Sequence, residues 1–328
     1  MRLRPMIRPE FFHYICPMAK RYNQFVDYFK ELYGCRLQKL VVDAGFTCPN
    51  RDGSLGRGGC TYCDNNAFHP NYSTPDKSIE QQLNEGKEFH RERYKRATKY
   101  LAYFQPYSNT YAPLEKLKTL YEEALDQPDV VGLAIGTRPD CVDEAKLDYL
   151  ASLKDAGKVV LLEFGIESCY NATLEHINRL HTFEQACKAV EQSVSRGILT
   201  GAHFIFGLPG ESHQMMLDSA AMINSLPLDS VKFHQLQIIK GTRMEREFEQ
   251  FPERFTTWSL GEYIDFFIDF LELLKPELRI ERFAGEVPPR FVNTTPWGLV
   301  RNVGLLRMLE NRLEERDTWQ GKKLGTSL

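Results

Sequence analysis

Cys48-Pro49-Asn50-Arg51-Asp52-Gly53-Ser54-Leu55-Gly56-Arg57-Gly58-Gly59-Cys60-Thr61-Tyr62-Cys63 carries the densest chemistry of the chain. Its spacing is C-x11-C-x2-C, in a segment whose glycines let the backbone pass close to a bulky object. Three thiolates on one loop can hold three irons of a cubane and leave the fourth without a protein ligand, which suits a cluster that must bind and reduce a substrate. The same thiols with His69 as a fourth ligand would make a zinc knuckle. Cys16, Cys35, Cys141, Cys169 and Cys187 are scattered singly and read as small buried hydrophobes.

Outward from this loop, apolar runs alternate with helical patterns. The runs are Lys39–Ala44, Tyr100–Phe104, Val130–Ile135, Val159–Gly165, Gly201–Phe206 and Ser230–Ile238, rich in Val, Ile, Leu, Phe and Tyr. Between them the boundary signals predict helices over Ser78–Ala97, Pro113–Leu125, Asp143–Ala156, Thr182–Ser195 and His213–Ser225. Further helices are expected over Tyr263–Lys275, whose aromatic stripe reads as core, and over Leu299–Arg316. Strands that alternate with helices pair in parallel through right-handed crossovers, giving a barrel or a doubly wound sheet. Either one places working residues at the carboxyl ends of the strands, so candidates belong just after each run.

The 328 residues are 42% hydrophobic and 26% charged, enough for a sizeable core and within the size of one α/β barrel. A net charge of −3 excludes a molecule-wide attraction to nucleic acid, so any basic face is local. Residues 1–51 hold nine Lys/Arg against four Asp/Glu, and 86–99 hold six against two with Phe89 and Tyr94 interleaved. A charged arm and a solvated helix face account for both as well as a binding surface does. Neither a signal-peptide pattern nor a run of 18 apolar residues occurs, and the eight cysteines do not read as a disulfide scaffold, so a cytoplasmic protein without membrane contact is expected.

A strand followed by a Gly-rich three-cysteine loop, with Tyr62 just before the last cysteine, resembles the radical S-adenosylmethionine (SAM) superfamily. The longer text from Cys48 to Cys63 is similar to the YhcC/YtqA-type family, relatives of the Elongator catalytic subunit, with the likeness running from about Leu37 to Gly321. The resemblance implies an α/β fold, a partial, open TIM-like (β/α)6 barrel over 37–245, with an N-terminal extension over 1–36. A C-terminal helical extension over 246–328 would close the barrel. It also implies a [4Fe–4S] cluster on Cys48, Cys60 and Cys63, and SAM cleaved reductively to a 5′-deoxyadenosyl radical. A flavodoxin or ferredoxin-type protein would donate the electron.

Each strand end then offers candidates. The resemblance implies SAM contacts from Tyr62 and from Gln105, Ser108, Asn109 and Thr110 after the second run, where the Gly-Gly-Glu of many relatives is missing. After the third run, Arg138 is able to bind a carboxylate bidentately, with Asp140 to orient it. Glu163 lies inside an apolar run, where an unpaired carboxylate is costly unless it faces a polar pocket; its implied task is the SAM ribose or amino group. Glu167 stands where many relatives have Gln, next to Ser168, and Asn178-Arg179-Leu180-His181 resembles a segment commonly read Asn-Arg-Gly-His, with Arg179 directed to the SAM carboxylate or serving as a helix-end charge. Gly207 and Pro209 fall where such proteins bind adenine through the main chain. His203 reads as a hydrogen-bonded core histidine, while Lys232, His234, Gln237 and Lys240 would line the substrate side. Kinship to the Elongator subunit and the basic segments suggest a tRNA substrate, with trimming of a 5-carboxymethylaminomethyl group on wobble uridine to 5-aminomethyl. Arg138, Lys232 or Lys240 would then neutralise the substrate carboxylate. Acetyl-CoA chemistry is not expected, as little chain follows Phe291. A small metabolite or a protein partner is the alternative substrate, and a zinc-bound nucleic-acid module the alternative of another class.

Overall fold

A computed structural model describes residues 20–95, 97–292, 297 and 300–325. Cys16, the basic residues before Lys20, Arg96 and the expected helix start at Leu299 lie outside them.

Seven strands, all parallel and in sequence order, make one sheet: β1 Leu37–Val42, β2 Lys99–Phe104, β3 Val130–Thr137, β4 Val159–Glu167, β5 Leu199–Phe206, β6 Ser230–Gln235 and β7 Arg279–Arg282. The first six are the apolar runs of the sequence. They are buried on both sides, as parallel strands under crossover helices must be. The helices are α1 Phe25–Tyr33, α2 Ile79–Arg91, α3 Leu114–Leu125, α4 Glu144–Asp155, α5 Asn171–His176, α6 Phe183–Ser195, α7 His213–Ser225, α8 Arg243–Gln250, α9 Leu260–Leu273 and α10 Asn302–Glu315. Side chains cap the crossover helices at Ser78, Asp143, Thr182 and Ser212, and Thr182 with Gln185 forms a capping box. The stretch expected as one helix to Ala97 stops at Arg91, where the buried stripe of Ile79, Leu83 and Gly86 has run out.

The sheet is curled. Lys39 on β1 ion-pairs with Glu163 in mid-sheet (2.5 Å) and with Glu281 on β7 at the far edge (2.7 Å), a reach that only a strongly curved sheet permits. Two cores result. One lies between sheet and outer helices, where Phe206 and Phe233 stack at 5.2 Å and meet Phe266, Phe267 and Phe270 of α9 edge-on. Each such ring stabilises the fold by roughly 1.5–3 kcal/mol on burial. The other plugs the amino-terminal end of the lumen: Phe25 and Phe29 of α1 pack with Leu37, Leu101, Tyr103, Ala134, Val159 and Leu161.

Beyond the six expected strands, β7 falls in the segment expected to be helical. It pairs with β6 at Ser230↔Arg279 and Val231↔Ile280. Four residues with three charges and one buried apolar side chain, Ile280, display neither alternation nor an apolar run. Among the described residues no helix is long and apolar enough to cross a membrane.

Candidate active site

The cysteine loop leaves β1 and is stapled at both sides. Gly59, in the left-handed region at φ 74°, accepts at its carbonyl from Asn178 Nδ2 (2.7 Å) and from Arg243, while Thr61 N–H donates to Ile177 O (3.0 Å) and Met244 N–H to Thr61 O (3.0 Å). A Cβ at Gly59 would displace the Arg51 side chain, 2.8 Å away at Nε, and would sit on a positive φ, so glycine is the residue the turn favours. The loop thus presents its three thiols against donors. Arg179 Nη1 and Asn50 Nδ2 each reach Cys60 Sγ at 3.4 Å, Asn65 Nδ2 reaches Cys63 Sγ at 3.7 Å, and Ser108 Oγ lies 3.1 Å from Cys48 Sγ. Burial, then the neighbouring Cys60, pushes the Cys63 thiol up to about 12, and burial raises Cys48. Thiols placed so close and so dry ionise together only when a cation compensates them.

The donor set fits an iron–sulfur cluster. Hydrogen bonds from Arg and Asn to the ligand sulfurs are the outer-shell contacts such a site needs. A zinc knuckle completed by His69 is not assembled: that imidazole is turned to its neighbour's carbonyl (Nδ1 to Pro70 O, 3.4 Å). Among the described residues no three His, Cys, Asp or Glu side chains gather as ligands of a single ion. A cubane spreads its thiolates over separate irons.

Around the loop, the strand ends hold polar atoms that lack partners among the described residues. Arg138 is 1% exposed; Nε and Nη2 fork onto Asp140 (2.8 and 2.7 Å), and Nη1 is buried with no acceptor. Burial would raise the Asp140 carboxyl, but Arg138 overrides it and holds it low. Asn109 donates from Nδ2 to Gly136 O (2.8 Å), which fixes its amide and leaves Oδ1 buried and unpartnered. The ends of the neighbouring strands β2 and β3 thus each offer one dry polar atom, an acceptor on Asn109 and a donor on Arg138, without a partner among the described residues. Gln105 donates to Phe68 O, and Thr110 is engaged with Thr137 and Cys141.

At the end of β4 the register shifts between Gly165 and Glu167, and Glu167 takes φ 74°, a bulge that re-aims its side chain toward Arg179 (3.5 Å) beside Tyr62. Arg179 is fully engaged, with Nη2 on Gly165 O (2.5 Å), Nη1 on Cys60 and Nε on His181 (3.0 Å). It joins strand to loop. Ser168 Oγ donates to buried Glu211 and accepts from Tyr170 N–H. Gly207, at φ 85°, lies under Trp258, and Pro209 lines a separate cavity with His176 and Arg254.

Lower in the lumen, Glu163 is 2% exposed and meets Lys39 (2.5 Å), Lys232 (2.6 Å) and His203 (3.3 Å). Lys232 also meets Glu281 (3.2 Å) and Tyr103 OH (3.3 Å). Burial would raise Glu163, but Lys232 and then Lys39 hold it well below the carboxylate range. The expected pocket-facing carboxylate is therefore a closed brace, two cations against two anions. Lys232 has its donors occupied within it, whereas Lys240 is exposed beyond the end of β6. His234 lies tilted against His203 at 5.8 Å between ring centres, and burial keeps it neutral. Lys39 and Tyr103 were open to the argument that singled out Glu163, a polar group inside an apolar run. Glu281 was not, because its strand had no signal. Asn50 and Arg243, which hold the loop, have no sequence mark of their function.

The radical SAM superfamily profile matches residues 48–223 and the radical SAM C-terminal domain profile residues 228–315. The uncharacterized protein YtqA of Bacillus subtilis (strain 168) is 34% identical over 303 residues, covering 92% of each chain. The tRNA uridine(34) acetyltransferase of Dehalococcoides mccartyi (strain CBDB1) is 27% identical over 202 residues, 61% of this chain and 42% of that protein. The archaeal Elp3 of Methanocaldococcus infernus, solved with an N-terminal deletion, superposes with a TM-score of 0.64 at 17% identity, over 87% of this chain and 64% of that one, so the fold is shared. With a matching profile across more than half its length and a YtqA relative across nearly all of it, the chain belongs to the radical SAM superfamily of enzymes.

Proposed function

We propose that the enzyme acts on tRNA, trimming a 5-carboxymethylaminomethyl group of wobble uridine to 5-aminomethyl. The observation that carries the substrate class is the likeness over 202 residues to a tRNA uridine(34) acetyltransferase. When bound, the [4Fe–4S] cluster and SAM supply reductive cleavage and hydrogen abstraction.

The chain's own residues fix geometry and exclude water. Cys48, Cys60 and Cys63 hold the irons, with Arg179 and Asn50 donating to Cys60. Arg138 Nη1 and Asn109 Oδ1 suit the carboxylate and ammonium of the methionine half of SAM. Tyr62, Gln105, Ser108, Glu167, Ser168 and Gly207 complete the cofactor wall in this reading, with Pro209 on the neighbouring cavity, and Glu163 supports it from below through Lys39 and Lys232. With Lys232 neutralised, exposed Lys240 is the cation left for the substrate carboxylate. Mass spectrometry of tRNA nucleosides from cells with and without the gene tests the reading. Accumulation of the carboxymethylaminomethyl precursor is the expected result, and unchanged nucleosides would sink it.

A further inference from the structure

At the amino ends of β1 and β2, the end of the sheet away from the cysteine loop, lies a second charged site that the cofactor chemistry leaves unused. Lys87, His90 and Arg91 of α2 line a cavity of about 200 Å³ together with Tyr94, Lys95 and Tyr100. Arg36, from the segment just before β1, stands over the Tyr94 ring at 4.3 Å, and Arg93 stands over the same ring at 5.4 Å. Two stretches far apart in sequence thus bring their cations to one aromatic side chain.

These charges are poorly compensated. Arg91 pairs with Glu88 (2.9 Å) and Lys95 with Glu92 (3.3 Å), exposed pairs between close neighbours that contribute little. Lys87 donates to Pro128 O (2.7 Å). Arg36 and Arg93 are exposed, and neither is in an ion pair among the described residues. Among the cations His90 keeps its Nδ1 buried without a partner among the described residues, and burial, then Arg93 and Arg36, push its imidazole below the usual histidine range. A cation at the end of α2 complements the helix dipole, which accounts for Arg91 but not for Arg36, brought in from another segment. Cations crowded round a dry, unpartnered nitrogen call for an anion.

We propose that this cavity and its rim, centred on Arg36, His90 and Arg93, seat the phosphodiester backbone of an RNA stem whose reacting base sits at the opposite, cysteine-bearing end of the sheet. The proposal rests on the reading that the substrate is tRNA and adds where the stem is held. The six residues of β1 separate the two ends by about 20 Å, so the contact positions the RNA and carries no base recognition. Between Ile79 and Tyr100 the one large apolar side chain exposed among the described residues is Phe89. That is too little for the apolar centre of a protein interface, whereas an aromatic ring beside unpaired Arg suits nucleic acid.

The test measures binding of an unmodified tRNA transcript to the anaerobically reconstituted holoenzyme by fluorescence anisotropy across a salt series. Arg36→Ala combined with Arg93→Ala should weaken binding about tenfold at low salt and reduce the slope of log affinity against log salt by about two. Lys188→Ala, an exposed cation lost from α6 instead, should leave both at the wild-type level. Iron content and SAM cleavage without tRNA should not change in any variant. Wild-type affinity and slope in the double variant would overturn the proposal while leaving the tRNA reading intact. So would a loss confined to inorganic phosphate, which would make the cavity a small-anion site. A wild-type enzyme that binds no tRNA would overturn the reading and the proposal together.

Discussion

Arg179 donates from Nη1 to the Sγ of Cys60 at 3.4 Å while its Nη2 holds Gly165 O at 2.5 Å, so one guanidinium fixes the thiol proposed as a cluster ligand to the end of β4. Its Nε donates to His181 Nε2, an acceptor because burial, then the cations Arg179 and Arg138, push that imidazole down to about 3. Lysine keeps the charge and loses the fork. Arg179→Lys should therefore lower iron retention by about 10–100-fold, the usual effect of losing an outer-shell partner. Chelator challenge of the reconstituted protein measures it; wild-type retention would reduce Arg179 to a packing residue.

The three thiols are unequal in surroundings, and as the proposed cluster ligands they should act as a set. Cys48→Ala, Cys60→Ala and Cys63→Ala should each abolish the iron–sulfur absorbance and SAM cleavage together. The folded chain should survive, because the loop keeps its backbone anchors at Gly59 and Thr61. Iron and sulfide analysis beside circular dichroism separates the two effects. A variant that keeps both cluster and cleavage would remove that cysteine from the ligand set.

Glu211 is buried against Ser168, and burial, only partly offset by hydrogen bonds from Ser168 and Thr173, raises its carboxyl from 4.5 to about 7. The folded state then binds a proton that the unfolded chain has released, so stability falls as pH rises from 4.5 to about 7 and levels off above. The span is at most about 3.4 kcal/mol. Glu211→Gln keeps the acceptor for Ser168 and removes the titration. Urea unfolding should show the variant more stable than wild type at pH 8 and equal to it near pH 4. Parallel profiles would show that the carboxyl titrates normally.

Six strands and the loop that follows the first were legible because each signal is local: an apolar run, a cap, a Gly-rich cysteine spacing. The same holds for the polar residue in an apolar strand, which pointed to Glu163. What the residue faces is not local. Lys39 is 124 positions away and Glu281 lies on a strand without an apolar run, so the brace emerges only when the sheet curls. Arg138 and Asn109 were candidates by position; that each keeps one dry, unpartnered atom depends on Asp140 and Gly136 taking the others. Leu180 was legible as a change from glycine, while its φ of 59° explains why glycine is the easier residue there.

Two accounts of Glu163 separate cleanly. As the brace, its carboxylate compensates Lys39 and Lys232 in a site where it is 2% and Lys232 4% exposed. Glu163→Gln then leaves Lys39 and Lys232 to share the one carboxylate of Glu281 and should cost about 3–5 kcal/mol in urea unfolding, the penalty of taking one charge out of a buried network. Glu163→Leu with Lys232→Met removes both charges of one arm and leaves Lys39 on Glu281 (2.7 Å), so the double variant should recover part of the loss, with a coupling energy of about 1–3 kcal/mol. As a direct SAM ligand, Glu163 would behave otherwise: Glu163→Gln would leave stability nearly unchanged and weaken SAM binding. Calorimetric SAM titration beside the unfolding curves decides between them. The brace predicts the larger effect in unfolding, because among the described residues the carboxylate is held by Lys39, Lys232, His203 and Tyr103.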